Sequence, residues 1–517
     1  MEIEQPTSNF QKTPPTMILA PDIETAIGKT YSSNYRLQSS GEITQLLKKI
    51  VAKSYSLVDS LSGFTSRLLL NFPSDFNFPE LCEILNFLKS QGIIKQTIFN
   101  QIRYNDAPFF YKLDLMPNNE KIITDGKVKV LEKPIGHGFG KNIETVFSKA
   151  IGELLERYFL TIYQKKKLMR GSCKDLKNKK LPILDLNLLA GFSNEQKKNN
   201  PKFQFDEESI FYWEKAKRFL TRETVYLPAQ LIYWAYVHNE LEPYLAEGNT
   251  NGAGGFFTKE GAILSGLYEL IQRDSFLIYW LNKVIPKRID PETVPNKDFQ
   301  NLLRESKRYG FEVHCLNITA DTGVPTFAVA LIDSFGQNPY FCLAAGCQSD
   351  PARALFRGLE EAWSVYYWMR PKPAFPTLSQ DYRPFQNNIS QDERLRLWSN
   401  PEMSEHFKFL ISGQKEAFAD IKFNYPKEFR SQKEELDFLV KRVESLGPGY
   451  EVYYYQAQHP SLTAVGYYSA QVVVPQFIPL YLNETLAPLG SRRIKEVPAK
   501  LGFKAANNIN PLPHPFP

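Results

Sequence analysis

The chain has 517 residues, with 62 Lys and Arg against 56 Asp and Glu and a formal net charge of +6. Charged residues make up 23% and hydrophobic residues 43% of the chain, which is typical of folded globular proteins and excludes wholesale disorder. At about 100–200 residues per domain, the length predicts two to four domains or one large α/β unit with an appendage. The small positive charge, with lysine clusters that lack interleaved aromatic residues, does not indicate a nucleic-acid partner.

Cysteine and histidine are too few for the disulfide and metal chemistry they usually support. Five cysteines without a C-x-x-C pair and six scattered histidines argue against a disulfide scaffold, a zinc ribbon and a histidine metal site. A bound metal ion should therefore be held by carboxylates. No run reaches the ~18 apolar residues of a membrane span, and the acidic start does not resemble a signal peptide. We expect a soluble, cytoplasmic protein without a membrane partner.

Residues 1–120 have the pattern of a small N-terminal module. Apolar residues recur at helical spacing over 43–50 and again over 81–88, and Gly92 stops the second helix. The segment IIKQTIF then reads as a strand. The pattern predicts a helical, winged-helix-like module whose first residues are loose, and a helical cap of the main domain remains the alternative.

From residue 121 to 517 the pattern predicts an α+β fold of layered sheets and helices. Long amphipathic helices are expected over 144–165, 258–283 and 351–369, and they alternate with strand-rich stretches such as VYLPAQLIYWAYV, FEVHCLNIT and TFAVALID. The final NPLPHPFP cannot form a helix or a central strand, because proline lacks the N–H donor. We expect an extended tail there.

The first of these helices carries paired carboxylates. The segment GHGFGKNIETVFSKAIGELLERYFL opens with a glycine turn, and its polar residues are Ser148, Glu153, Glu156 and Arg157. Glu153 and Glu156, at i and i+3, project from one face and could share Mg²⁺, which prefers carboxylate and phosphate oxygens. A solvated acidic face is the alternative, and the spacing by itself does not decide between them.

Two further helices repeat the theme. A Gly-rich turn at Asn251–Gly255 precedes a helix with Glu269, Gln272 and Arg273, and a third helix places Arg357 and Glu361 at i and i+4. One acidic helix is usually surface. Three helices that present Glu and Arg among apolar neighbours predict a site that encloses a charged ligand.

These three segments, in this order, resemble the YcaO family of ATP-dependent enzymes that activate backbone amides. The similarity covers roughly 127–517 and includes ITADTGVPTFAVALI and AGCQSDPARALFRGLEEA. The ending PHPFP looks like the PxPxP signature of the azoline-forming members, and it follows GSRRIKEVPAKLG.

The resemblance implies a set of site residues. The ATP-binding residues would be Ser148, Glu153, Glu156, Arg157, Asn251, Glu269, Gln272, Arg273, Arg357 and Glu361. Mg²⁺ would be held by Glu153, Glu156, Glu269 and Glu361, and the catalytic tail would contribute Pro513, Pro515 and Pro517. Gln272 stands where many family members have a second glutamate, and Phe257 and Gly261 stand where some relatives have Asn and Glu, although Glu260 lies next to Gly261. These departures leave the number of Mg²⁺ ions open.

The resemblance also implies a reaction and partners. ATP and Mg²⁺ would support cyclodehydration of a ribosomally made precursor peptide, in which a Cys, Ser or Thr side chain attacks the preceding carbonyl. Phosphorylation of the amide oxygen then gives a thiazoline or (methyl)oxazoline, and the tail would order the substrate or assist proton transfer.

The first 120 residues are too short for the E1-like leader-binding protein of such systems, so we expect a separate partner of that kind. A flavin dehydrogenase would act in some systems, and a homodimer is left open. The alternatives are a family member that installs a thioamide or amidine, and a non-catalytic subunit of a modification complex.

Overall fold

The computed structural model describes residues 78–118, 135–336, 339–426 and 428–517. The chain divides into two compact units, Met1–Phe64 and Thr65–Pro517, and every described residue belongs to the second. The helix predicted over 43–50, and most of the predicted N-terminal module, lie outside the described residues.

The described residues form alternating strands and helices. The strands are β1 (Ile94–Tyr104), β2 (Ala107–Pro117), β3 (Gly136–Gly140), β4 (Met169–Ser172), β5 (Ile210–Arg218), β6 (Thr224–Pro228), β7 (Ala253–Phe256), β8 (Lys287–Ile289), β9 (Phe311–Asn317), β10 (Thr326–Asp333), β11 (Phe341–Cys347), β12 (Lys415–Glu416), β13 (Tyr453–Gln456) and β14 (Tyr468–Val473). The helices are α1 (Phe78–Ser90), α2 (Ile143–Leu160), α3 (Cys173–Asn178), α4 (Asn194–Asn199), α5 (Lys259–Leu281), α6 (Lys297–Arg308), α7 (Pro351–Met369), α8 (Gln391–Trp398), α9 (Ser404–Ile411), α10 (Gln432–Glu444), α11 (Pro460–Ala464) and α12 (Arg493–Lys500). The α+β prediction is confirmed.

A three-stranded antiparallel sheet, β1-β2-β3, begins the described chain. The predicted helix before it is α1, whose Leu81, Leu85 and Leu88 are buried, and it ends where Gly92 takes φ +64°. The domain boundary predicted at residue 120 falls between β2 and β3, which are paired neighbours in this sheet.

The five-stranded sheet has the order β11-β10-β9-β8-β12 and is antiparallel except at β8–β12. Strand β10 is buried at every position because helices cover both of its faces. Val329 and Leu331 pack towards α6 and α7, while Ala328 and Ala330 pack towards α5, α8 and α9. A strand that is buried on both faces reads as a continuous apolar run, as TFAVALID does.

The six-stranded sheet has the order β4-β5-β13-β14-β7, with β6 paired to β5. Its face with Ala470 and Val472 packs on α5 and α10. The opposite face, with Trp213 and Val473, packs on a segment around Tyr233.

Helices α2, α5 and α7 each pack unusually closely on the strand before them. A Cβ added at one glycine of each strand would come within 2.2 Å of a helix carbonyl oxygen, a distance that no side chain permits. The contacts are Gly138 to Val146, Gly254 to Ala262 and Gly346 to Ala354. Glycine is therefore required at these three positions for the helices to lie where they do.

Two predicted elements differ from the structure. Helix α2 ends at Leu160 rather than at residue 165. The Trp234 N–H donates a hydrogen bond to the Leu160 carbonyl, which a continuing helix would use for its own next turn. The strand predicted over VYLPAQLIYWAYV is wrong beyond Pro228, where β6 gives way to a 3₁₀ turn. Tyr233 is buried because it packs on the face of the sheet, although it is not part of a strand. The apolar character of a segment alone does not distinguish a buried strand from a buried segment of another kind.

Two expectations about the described chain can also be checked. All five cysteines are buried, and within the described residues none of them forms a disulfide. Within the described ranges, no helix is both long and apolar enough to cross a membrane.

Candidate active site

The three glycine-bearing strands bring three glutamates to equivalent places. Glu153 follows Gly138, Glu269 follows Gly254 and Glu361 follows Gly346 at the same spacing along the chain. Their charges interact, because Glu153 raises the pKa of Glu156, Glu269 and Glu361. The fold therefore gathers all four glutamates of the predicted metal set into one cluster.

Two of these carboxylates are neutralised on their own helix. Glu153 pairs with Arg157 at 2.6 Å and accepts the His137 N–H at 2.6 Å. Glu269 pairs with Arg273 at 2.8 Å and accepts the Gly252 N–H at 2.8 Å. Each carboxylate is thus tied both to an arginine one turn later and to its preceding glycine turn.

The other two carboxylates, Glu156 and Glu361, make no hydrogen bond or ion pair within the described residues. Burial, and then the charge of Glu269, raises the pKa of Glu156 to about 8. Burial also raises the pKa of Glu361, and Lys149 opposes the shift. The Glu361 side chain nevertheless remains exposed to solvent. Both groups would gain from a cation.

Positive charge from α2 and α7 stands close to these carboxylates. Lys149 pairs with the buried Glu360 and donates to the Phe139 carbonyl at 3.0 Å. On α7, burial lowers the pKa of Arg357 and lowers that of Arg353 to about 10, with the Arg357 charge as the next cause. Arg353 and Arg357 are one helical turn apart and both are desolvated, so binding of an anion next to them would stabilise their charges. Sequence reasoning missed Arg353, although its i, i+4 spacing to Arg357 was a usable signal.

Asn251 is already engaged by the protein. Its Oδ1 accepts from Arg273 at 2.7 Å and from the Leu480 N–H at 3.0 Å, and its Nδ2 donates to the Leu480 carbonyl at 2.6 Å. It therefore lies in the predicted site as a link between Arg273 and the loop at Leu480. A small cavity of about 70 Å³ lies beside it, also lined by Gln230, Tyr233, Glu247 and Gln471.

The remaining predicted residues lie on the same helices. Ser148 is buried on α2 and Gln272 is half-buried on α5, and neither side chain makes a hydrogen bond within the described residues. Phe257 packs edge-on against Tyr467, with the ring centroids 5.0 Å apart. A Cβ at Gly261 would come within 2.3 Å of the Phe256 ring, so this departure from the relatives follows from local packing.

The predicted tail is buried. Pro513 and Pro515 are buried and Pro517 is half-buried. Trp398 donates to the Pro513 carbonyl at 3.0 Å, and the Phe516 ring lies 4.7 Å from that of Phe276 on α5. The tail thus rests on the helix that carries Glu269 and Arg273, and the catalytic role of its prolines stays a prediction.

The donor set fits a nucleotide with Mg²⁺ better than it fits a metal held by protein alone. Within the described ranges, no three His, Cys, Asp or Glu side chains are arranged to hold a metal ion. Mg²⁺ at phosphate sites commonly takes one or two carboxylates and completes its shell with phosphate oxygens and water. Glu156 and Glu361 supply unpaired carboxylates, and Arg353 and Arg357 supply cations for the anion.

Three glycine-packed helices thus bring carboxylates and guanidinium groups together, and all three lie within the part of the chain that a family model matches. The model, described as YcaO cyclodehydratase, ATP- and Mg²⁺-binding, matches residues 138–478. The chain belongs to the YcaO family. The predicted family is confirmed, and ATP and Mg²⁺ are the ligands that the family description names.

Known proteins similar to this chain include both sequence relatives and solved structures. An uncharacterised protein of Methanothermobacter thermautotrophicus is 31% identical over 157 residues, which is 30% of this chain and 41% of that protein. A heterocyclase solved in complex with substrate and cofactor has a TM-score of 0.65 at 21% identity, covering 84% of this chain and 57% of that one. YcaO from Methanopyrus kandleri, bound with AMPPCP and Mg²⁺, has a TM-score of 0.54 at 15% identity, covering 79% and 92%. At these identities, the structural likeness shows the fold.

Proposed function

We propose that this chain is an ATP-dependent cyclodehydratase that converts Cys, Ser or Thr residues of a ribosomally made precursor peptide to thiazoline or (methyl)oxazoline. One observation carries the proposal. Glu156 and Glu361 are unpaired carboxylates in one cluster, the desolvated Arg357 interacts with Glu361, and Arg353 lies one turn before Arg357 on α7. Because the chain belongs to the YcaO family, whose description names a cyclodehydratase, the family supports cyclodehydration as the reaction.

Ring formation needs help with one step in particular. The side-chain sulfur or oxygen bonds to the preceding carbonyl carbon, and the former amide oxygen must then leave. ATP supplies the phosphoryl group that turns this oxygen into a leaving group. The oxygen departs as phosphate, so each ring costs one ATP and the peptide loses one water.

The role that we propose for each charged residue depends on whether its charge is already paired within the protein. Glu156 and Glu361 would hold Mg²⁺, and Arg357 with Arg353 would neutralise the phosphates. Arg157 and Arg273 would keep Glu153 and Glu269 in place, as their ion pairs indicate. Ser148, Gln272 and Asn251 would line the nucleotide pocket.

Partners belong to the proposal as well. We expect a separate E1-like protein to recruit the leader of the precursor peptide in the cytoplasm, with a flavin dehydrogenase acting after ring formation in some systems. Processing should therefore be slow with the chain alone and fast when the partner is added. Equal rates with and without the partner would contradict this expectation.

The decisive experiment incubates the full chain and its partner with precursor peptide, ATP and Mg²⁺ and follows peptide mass and phosphate release. We expect the mass of one water to be lost for each phosphate released, and Glu361→Gln to abolish both. Glu195→Gln, which changes an exposed residue of α4, is the matched control. Exchange of oxygen for sulfur would instead indicate thioamide formation, and ATP-independent or absent turnover would overturn the proposal.

A further inference from the structure

The segment Ile478–Leu482, here called the strap, crosses the protein interior without being a helix or a strand. A buried backbone outside regular structure needs side-chain partners for its N–H and C=O groups. The strap N–H groups of Ile478, Leu480 and Leu482 donate to Asp274 at 2.9 Å, Asn251 at 3.0 Å and Glu247 at 2.6 Å. Its shape is therefore set by side chains from other parts of the chain.

One end of this hydrogen-bond network is the candidate nucleotide site. Asn251 holds both the N–H and the carbonyl of Leu480, and the same Asn251 Oδ1 accepts from Arg273. Arg273 in turn pairs with Glu269. A shift of Leu480 would therefore move Asn251 and change the support of Arg273.

The other end is the tail. His514 Nε2 bonds the Tyr481 carbonyl at 2.8 Å, and a ring nitrogen opposite a carbonyl oxygen must donate. His514 is fully buried, and the indole N–H of Trp398 fixes the residue before it through the Pro513 carbonyl. Within the described residues, no other donor bonds the Tyr481 carbonyl. The tail therefore fixes the strap at the residue next to Leu480.

We propose that His514 is a positioning residue that acts through the strap on Asn251, and so on Arg273 and Glu269 in the nucleotide site. The inference rests on the proposed function in taking that site to bind ATP. It gives the tail a route to the nucleotide that needs no contact between the tail and the peptide. The group responsible is the histidine between the prolines, rather than the prolines themselves.

The test compares His514→Leu with His514→Gln in the full chain. Leu fills the space but cannot donate, whereas the Gln amide can replace the Nε2 donor. His406→Leu, which changes an exposed histidine of α9, is the matched control. The measurements are amide hydrogen exchange at 249–252, the affinity for AMPPCP with Mg²⁺, and the KM values for ATP and for peptide.

We expect His514→Leu to speed exchange at 249–252 and to weaken AMPPCP binding about fivefold to tenfold, because a buried carbonyl loses its donor. The KM for ATP should rise by a similar factor, the KM for peptide should stay within about twofold, and His514→Gln should recover most of the loss. Unchanged exchange and affinity in His514→Leu, or a rise in peptide KM alone, would overturn the proposal.

Two further results keep the test decisive. If His514→Leu does not fold, the unmodified chain still decides, because coupling is reciprocal: AMPPCP with Mg²⁺ must then slow amide exchange at Leu482 and Phe516. No slowing there would overturn the proposal. If the unmodified chain binds no AMPPCP, the ATP-dependent function fails, while faster exchange at 249–252 in His514→Leu would still support the positioning role.

Discussion

Two kinds of glutamate meet in the candidate active site, and they differ in what neutralises them. Glu153 and Glu269 have an arginine four residues later on the same helix, at 2.6 Å and 2.8 Å. Glu361 occupies the equivalent place on α7, but the residue four positions later is the buried Val365. Glu156 also has no ion-pair partner within the described residues.

This difference in ion-pair partners indicates that equivalent positions of a repeated strand–helix unit have different roles. A carboxylate held by an arginine and a backbone N–H is a fixed structural element. A desolvated carboxylate beside other carboxylates is unstable as an anion until a cation arrives. We therefore propose that Glu153 and Glu269 act as anchors and that Glu156 and Glu361 bind Mg²⁺.

The sharpest way to break this comparison is to neutralise the unpaired carboxylates. Glu156→Gln and Glu361→Gln should each lower ATP turnover at least about 100-fold, because each removes charge that would hold the metal at the phosphates. The thermal midpoint should not fall, since like-charge repulsion is relieved. Turnover near that of Glu195→Gln in either variant would contradict the assignment.

Removing an arginine should give the opposite balance of effects. Arg273→Met leaves Glu269 without its ion pair and removes one of the two donors to Asn251 Oδ1, and it should cost about 1–3 kcal/mol of unfolding free energy in a denaturant titration. We expect about tenfold weaker ATP binding, because the anchor rather than the ligand is lost. Arg492→Met, which changes the exposed arginine immediately before α12, controls for loss of positive charge. A stable Arg273→Met variant with no turnover would assign Arg273 to the chemistry instead.

Adding a carboxylate should sharpen the count of metal ions. Gln272→Glu restores the residue found in many relatives next to Arg273. We expect the Mg²⁺ concentration for half-maximal turnover to change about threefold to tenfold, because one more oxygen ligand enters the cluster. An unchanged Mg²⁺ dependence would mean that position 272 does not face the ion.

The smallest effect is the pH dependence of stability. In the unfolded chain Glu156 releases its proton near pH 4.5, whereas in the folded chain its raised pKa keeps the proton bound up to about pH 8. Between these two pH values only the folded chain carries this proton. Stability without ligands should therefore fall as pH rises through this window. Thermal midpoints measured from pH 5 to 8 should show a shallower fall in Glu156→Gln than in the unmodified chain. A parallel fall in both would place the titration on another group.

Much of this site could be predicted from residues close together in the chain. Helical spacing in α2, α5 and α7 follows from the periodicity of apolar residues, and the order of the glycine turns and the Glu and Arg residues indicated the family. The sequence did not single out Arg353, by contrast, because its lowered pKa comes mainly from burial in the folded chain. Gly261 looked like a departure from the site, whereas the Phe256 ring leaves no room there for a side chain.

Local periodicity in the sequence indicated the α+β fold class, the Glu and Arg residues of three helices indicated a shared charged site, and the resemblance of whole segments indicated the family. Only the tertiary structure decided which carboxylates are paired, since Glu153 and Glu269 have an arginine partner and Glu156 and Glu361 have no ion pair within the described residues. It also decided that the tail is buried on α5 and bonded to the strap. Contacts such as His514 to Tyr481 join residues far apart in the chain, and no local pattern encodes them.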